Sequence, residues 1–167
     1  ANDILAMESR AAGMPLGLMI LLGGSVHRIL GTGRAAFGVA VDTVGRLAYV
    51  GNRDEKTVKV VDIDSDRLVR TVQPGGSPYG LAVNAVTGKL YALHGGSLGG
   101  CPVTHLTVFV RNGTPLKDIT VGDSCDGGWV VVNPANGRVY VAGTAANQVW
   151  VLNSDESIRA ILRTGDG

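Results

Sequence analysis

Apolar positions along this chain fall in short runs, and each run is closed by Gly, Asp or Asn. The clearest stretch is FGVAVDTVGRLAYVGN at 37–52. It returns as YGLAVNAVTGKLYALH at 79–94 and as GWVVVNPANGRVYVAG at 128–143. Each copy holds an apolar run, an Asp or Asn, a turn with Gly and a basic residue, then a second apolar run containing Tyr. Asp42, Asn84 and Asn133 correspond, and Tyr49, Tyr91 and Tyr140 follow them by seven residues each time. Runs this short and rich in Val, bounded by turn residues, predict strands.

The pattern continues beyond each hairpin. In the second unit, 38–41, 47–50, 57–61 and 68–72 read as four strands, with Lys59 and Arg70 facing out. The last unit repeats this at 129–132, 139–142, 149–152 and 158–162. The interval Tyr49 to Tyr91 is 42 residues and Tyr91 to Tyr140 is 49; the excess falls in HGGSLGGCPVTH at 94–105. Four strands in a recurring unit of this length predict an all-β fold, an antiparallel β-propeller of about four blades. The expected blades are about 1–33, 36–75, 78–122 and 127–165 of a single propeller. The first is incomplete: 4–7, 16–22 and 26–30 read as strands, and no inner strand stands out. The chain ends in TGDG, where the pattern calls for the next inner strand. Open blade faces and strand edges are costly. The expectation is therefore a partner: a second copy, giving a ring of about eight blades, or a second chain from a cleaved precursor. The plainer alternative is that the sequence is a piece of a longer propeller.

Composition adds limits. A chain of 167 residues suffices for one domain with a substantial core. The net charge of +1 makes no case for nucleic acid or an anionic membrane as partner. The longest apolar run, 14–22, is too short to span a bilayer. As a signal-peptide core it has Asp3 and Glu8 before it and only Arg10 as a basic residue.

GRLAYVGNRDEKTVKVVDI and NGRVYVAGTAANQVWVLN resemble the YVTN-type β-propeller repeats, well over 36–165 and weakly over 1–33. The resemblance implies an extracytoplasmic setting: extracellular, cell-surface or periplasmic. Such repeats occur in surface-layer proteins, binding proteins and propeller enzymes, so they select no reaction.

Candidate chemistry gathers where the pattern breaks. Cys101 lies in the loop after a second strand and Cys125 in the crossover leaving a fourth. Strand alternation puts both on one face, so a disulfide is expected, with two free thiols as the alternative; if it forms, the compartment is oxidising. His94 and His105 bracket the long insertion, and Asp123 and Asp126 lie in the facing crossover. Together they form the one His and Asp cluster and are candidate ligand-binding residues. No cofactor is expected. Zinc or copper is the lesser alternative, because the spacing matches no compact metal motif and no third His is near. Arg53 and Asp54, in the loop RDEK, read as solvated charge or as a polar rim at the channel mouth. Asp62, Asp64 and Asp66 imitate a calcium loop, but Arg67 stands where Gly is needed and Gln73 where Glu is needed, so they read as a turn. GTGRAA at 31–36 leads into a strand rather than a helix and is no dinucleotide fingerprint. Asn112-Gly113-Thr114 is a glycosylation acceptor sequence within a hairpin turn. Tyr49, Tyr91 and Tyr140 read as packing residues, and Trp129, in place of Gly38 and Gly80, fills the channel or a blade junction. Two functions remain: an extracytoplasmic binding or assembly module, or part of a propeller enzyme with its site near His94 and His105.

Overall fold

The computed structural model describes residues 2–7, 17–22, 25–95, 103–122, 128–143 and 147–165. These form strands and turns only, so among the described residues no helix is long and apolar enough to cross a membrane. The strands are β1 (Asn2–Met7), β2 (Gly17–Leu22), β3 (Ser25–Gly31), β4 (Ala36–Asp42), β5 (Leu47–Asn52), β6 (Thr57–Asp62), β7 (Arg67–Val72), β8 (Pro78–Asn84), β9 (Lys89–Gly95), β10 (Thr104–Phe109), β11 (Pro115–Thr120), β12 (Gly128–Val132), β13 (Val139–Gly143), β14 (Gln148–Leu152) and β15 (Ile158–Arg163). They make four antiparallel sheets of sequential strands: β1-β2-β3, β4-β5-β6-β7, β8-β9-β10-β11 and β12-β13-β14-β15.

The turns follow from the recurring Asp or Asn. The Asp42 carboxylate accepts from the N–H groups of Val44 (3.1 Å) and Gly45 (2.7 Å). Asn84 does the same for Val86 and Thr87, and Asn133 for Ala135. A side chain that mimics a turn hydrogen bond reverses the chain locally, before any tertiary contact exists. Asp62 also accepts from Asp64 and Ser65, so the acidic run DIDSD closes a hairpin. These hydrogen bonds from the Ser65 backbone and hydroxyl hold the Asp62 carboxyl below the usual carboxylate range.

Blade stacking builds the core. Strand alternation sends one set of side chains toward the preceding blade and the other toward the next. Tyr91, Leu93, Leu106 and Val108 of the third blade meet Val130, Val139, Val141 and Leu152 of the fourth. Tyr49, Val58 and Val60 of the second meet Leu81, Leu90 and Phe109 of the third. Leu18 and Ile20 pack on Ala48, Val50 and Val61. Burying a large side chain of this kind contributes about 1.5–3 kcal/mol. The inner strands β4, β8 and β12 lie beside one another. Gly38 takes φ 84° at the bulge in β4, a conformation a side chain disfavours.

β1 approaches β4 as β5 approaches β8 and β9 approaches β12. Arg28 precedes Phe37 by the same interval that separates Arg70 from Tyr79. The first sheet therefore holds the second, third and fourth places of a blade, and among the described residues no strand holds its inner place.

Each turn between a third and a fourth strand also reaches back onto the preceding blade. Asp66 lies 3.9 Å from Arg28, and Arg111 Nε donates to Asp42 Oδ2 at 2.7 Å. Glu156, only 4% exposed, accepts from Lys89 Nζ (2.7 Å) and from the Tyr91 hydroxyl (3.1 Å). Burial and the Glu156 charge together push the Tyr91 hydroxyl well above the ordinary phenol range. Removing Glu156 leaves the buried Tyr91 hydroxyl without its acceptor and Lys89 with the Ser154 carbonyl at 3.3 Å, whereas removing the Tyr91 hydroxyl keeps the Lys89–Glu156 pair. Glu156→Ala should lower the unfolding free energy by about 2–3 kcal/mol and Tyr91→Phe by about 1 kcal/mol, with the double variant less than additive. Urea titration of the three variants measures this.

Candidate functional site

Two places bring chemistry-bearing side chains together. The first starts from register. His94 and His105 are not loop residues but direct cross-strand partners on β9 and β10, so their rings stack with centroids 5.5 Å apart. Thr107 and Asp118 join them, because β11 pairs Asp118 opposite Thr107. His105 Nδ1 lies 2.9 Å from Asp118 Oδ2, and the Thr107 hydroxyl lies 2.9 Å from Asp118 Oδ1. The same hydroxyl is 2.8 Å from His94 Nε2 and 2.9 Å from the Pro74 carbonyl, while His94 Nδ1 faces the Gly95 carbonyl at 3.2 Å.

This set is not a nucleophilic triad. Asp118 bonds Thr107 and His105 but lies 3.9 Å from His94, the imidazole that meets the hydroxyl, and both Thr107 and His94 are buried. The carbonyl of Gly95 and the carboxylate of Asp118 favour a charged His94, but burial opposes it more strongly and holds the imidazole below its ordinary pKa of 6.5. The equivalent place in the second blade holds Asn52 opposite Thr57. There the Asn52 side-chain oxygen and the Thr57 hydroxyl are buried without a partner.

The second place lies among the inner strands. The Arg53 guanidinium sits over the Phe37 ring at 5.4 Å and the Tyr79 ring at 5.1 Å. Phe37 and Tyr79 occupy the same position in adjoining blades. With Gly128 and Trp129 these three line a cleft of about 250 Å³. A neighbouring cleft places Trp129 against Gly38 and Gly80, so the indole faces the channel side of the inner strands. It is 64% exposed.

Of the residues singled out from sequence, His94 and His105 come together and Arg53 joins a separate cleft. Asp54 is exposed and lines neither. Asp123, Asp126, Cys101 and Cys125 lie outside the described residues. Among the described residues no group of three His, Cys, Asp or Glu side chains is placed to hold a metal ion. Thr107 and Asp118 were not legible as site residues: both sit in ordinary alternating strands, and only register across three strands aligns them with the histidines. Phe37 and Tyr79 did carry a signal, since each opens its repeat at the same position.

No family model and no curated protein matches this chain. Solved structures do. Hydrazine synthase from Kuenenia stuttgartiensis superposes with a TM-score of 0.68 at 19% identity, over 87% of this chain and 40% of that one. The WD40 domain of Toxoplasma gondii coronin gives 0.72 at 12% identity, over 86% and 38%. A chain of a nidogen–laminin complex gives 0.63 at 16% identity, over 86% and 56%. The fold is an antiparallel β-propeller. This chain spans 40%, 38% and 56% of the lengths of those three chains.

The His94 network carries a pH dependence with a defined sign. The unfolded chain takes up a proton at this imidazole at higher pH than the folded chain does. Stability is therefore full above the ordinary histidine pKa and is lost as pH falls through it. Denaturant midpoints should drop from about pH 7 to about pH 5. His94→Gln should show a shallower drop over the same range, because the titrating group is gone.

Proposed function

We propose that this chain is an extracytoplasmic propeller module that works by binding, and that its ring is completed by blades from another chain. One observation carries this reading. The face of the third blade built from Ala82, Tyr91 and Leu93 is covered by the fourth blade. The corresponding face of the fourth blade carries Trp129, Val131, Tyr140, Ala142, Val149 and Leu162 on cross-strand partners. There Trp129, Val131 and Leu162 are 64%, 58% and 52% exposed. A contiguous apolar sheet face of this kind calls for a cover, and the repeat within the chain is the template for it: another blade. A second copy can supply that in solution, and the resemblance to YVTN-type repeats supports the extracytoplasmic setting.

A Cys101–Cys125 disulfide belongs to the same reading. Thr104 N–H donates to the Gly122 carbonyl at 3.1 Å, and Val121 N–H donates to the Thr104 carbonyl at 2.9 Å. Cys101 precedes Thr104 by three residues and Cys125 follows Gly122 by three, so the two flanking segments are already tied together. A bridge there fits an oxidising compartment. The fold itself does not choose between binding and catalysis: one similar structure is by name a synthase and another is a complex. The burial of His94 and Thr107 gives the catalytic alternative no specific support at that network.

Sedimentation equilibrium at about 10 µM, a concentration at which a specific interface is occupied, should give a mass above that of one chain. Val131→Asp with Leu162→Asp should return a folded monomer that is less stable than the parent by what assembly contributes. A parent chain that is monomeric at this concentration would overturn self-completion of the ring. Intact mass after alkylation without reductant should show no modified cysteine, and two after reduction. Two modified cysteines before reduction would remove the disulfide.

A further inference from the structure

We propose that the cleft around Arg53 binds a small organic anion that carries its carboxylate on a flat apolar ring.

The cationic side chain is held in place by its own backbone. Arg53 N–H donates to the Ala35 carbonyl at 3.0 Å, in the crossover before β4. Its carbonyl accepts from Ser77 Oγ at 3.0 Å, in the crossover before β8, and from Lys56 N–H at 3.2 Å. Two successive crossovers thus fix one loop residue. The Phe37 and Tyr79 rings then fix the guanidinium through their faces. Cation–π contacts of this kind leave the N–H edges of the guanidinium free to form a planar fork, which matches a carboxylate.

That fork has no carboxylate among the described residues. Glu55, the neighbouring acid, is engaged by Arg34 N–H at 3.1 Å and by Lys59 at 3.6 Å. Asp54 does not line the cleft. The remaining wall is Trp129, a large exposed indole where the second and third blades carry Gly38 and Gly80. At about 250 Å³ the cleft has room for a single-ring molecule rather than a polymer. An inorganic anion would satisfy only the fork, and a neutral ring only the indole. A ring carboxylate satisfies both at once, with the charge on Arg53 and the flat body against Trp129.

The full chain has two tryptophans, Trp129 and Trp150, so its indole N–H groups give two assignable NMR signals. Benzoate, acetate and benzyl alcohol are the probes. Benzoate should shift the Trp129 signal saturably and leave Trp150 in place. Acetate and benzyl alcohol should each bind at least about tenfold more weakly. Arg53→Gln should weaken benzoate by about tenfold or more, and Arg53→Lys by less, since it keeps the charge but loses the fork. Trp129→Gly, the residue the other blades carry there, should abolish discrimination between benzoate and acetate when read by calorimetry. An unchanged Trp150 signal and unfolding midpoint show that each variant is folded. The proposal is overturned if benzoate does not shift Trp129 up to about 20 mM, a concentration that saturates even a millimolar site. Equal binding of acetate, or an Arg53→Gln variant that binds benzoate as the parent does, overturns it as well.

Discussion

Everything in this molecule depends on sheets that cannot stand alone. Each four-stranded blade is apolar on both faces, so each neighbour that covers a face adds stability. Tyr49 and Val60 need Leu81 and Phe109; Tyr91 and Val108 need Val139 and Leu152. The hydrophobic term that stacks the blades also leaves one apolar face, bearing Val131 and Leu162, without a neighbouring blade among the described residues. Polar contacts follow the same geometry. Arg111 on Asp42 and Glu156 on Lys89 are made by turns that stacking has brought over the preceding blade.

The two chemical clusters arise where this stacking scaffold is interrupted. A repeat built for packing leaves one position per blade, three residues after the Tyr, at the end of the second strand. Asn52 stands there in the second blade and His94 in the third. The His94 position is closed by Thr107, Asp118 and the Pro74 carbonyl, so its imidazole is a buried, fully engaged group. The next position in the second blade is Arg53, which lies at the surface and keeps its charge facing a cleft. One interruption was absorbed into the structure and the other stayed available to a ligand. Burial makes the difference.

Much of the architecture was legible along the chain because its signals are local. Asp42, Asn84 and Asn133 close their hairpins with hydrogen bonds to residues two or three away, so spacing alone exposes them. The incomplete first sheet was legible too, since its apolar runs lack an inner partner. The site was legible only in part. His94 and His105 were singled out as the ends of an insertion, yet they are facing partners within a sheet. The sequence distance between them hides a register that β9 and β10 impose. Arg53 was visible as loop charge, without the rings beneath it.

By itself, then, the sequence determined strand period, turn chemistry and the repeat, because each depends on neighbours a few residues away. Only the tertiary structure decided which polar groups meet. Asp118 reaches Thr107 and His105 because three strands share one register. Arg53 reaches Phe37 and Tyr79 because two blades set their inner strands side by side, bringing together residues more than a dozen positions apart. Those encounters depend on how apolar faces stack, and stacking is a property of the assembled sheets rather than of any stretch of chain.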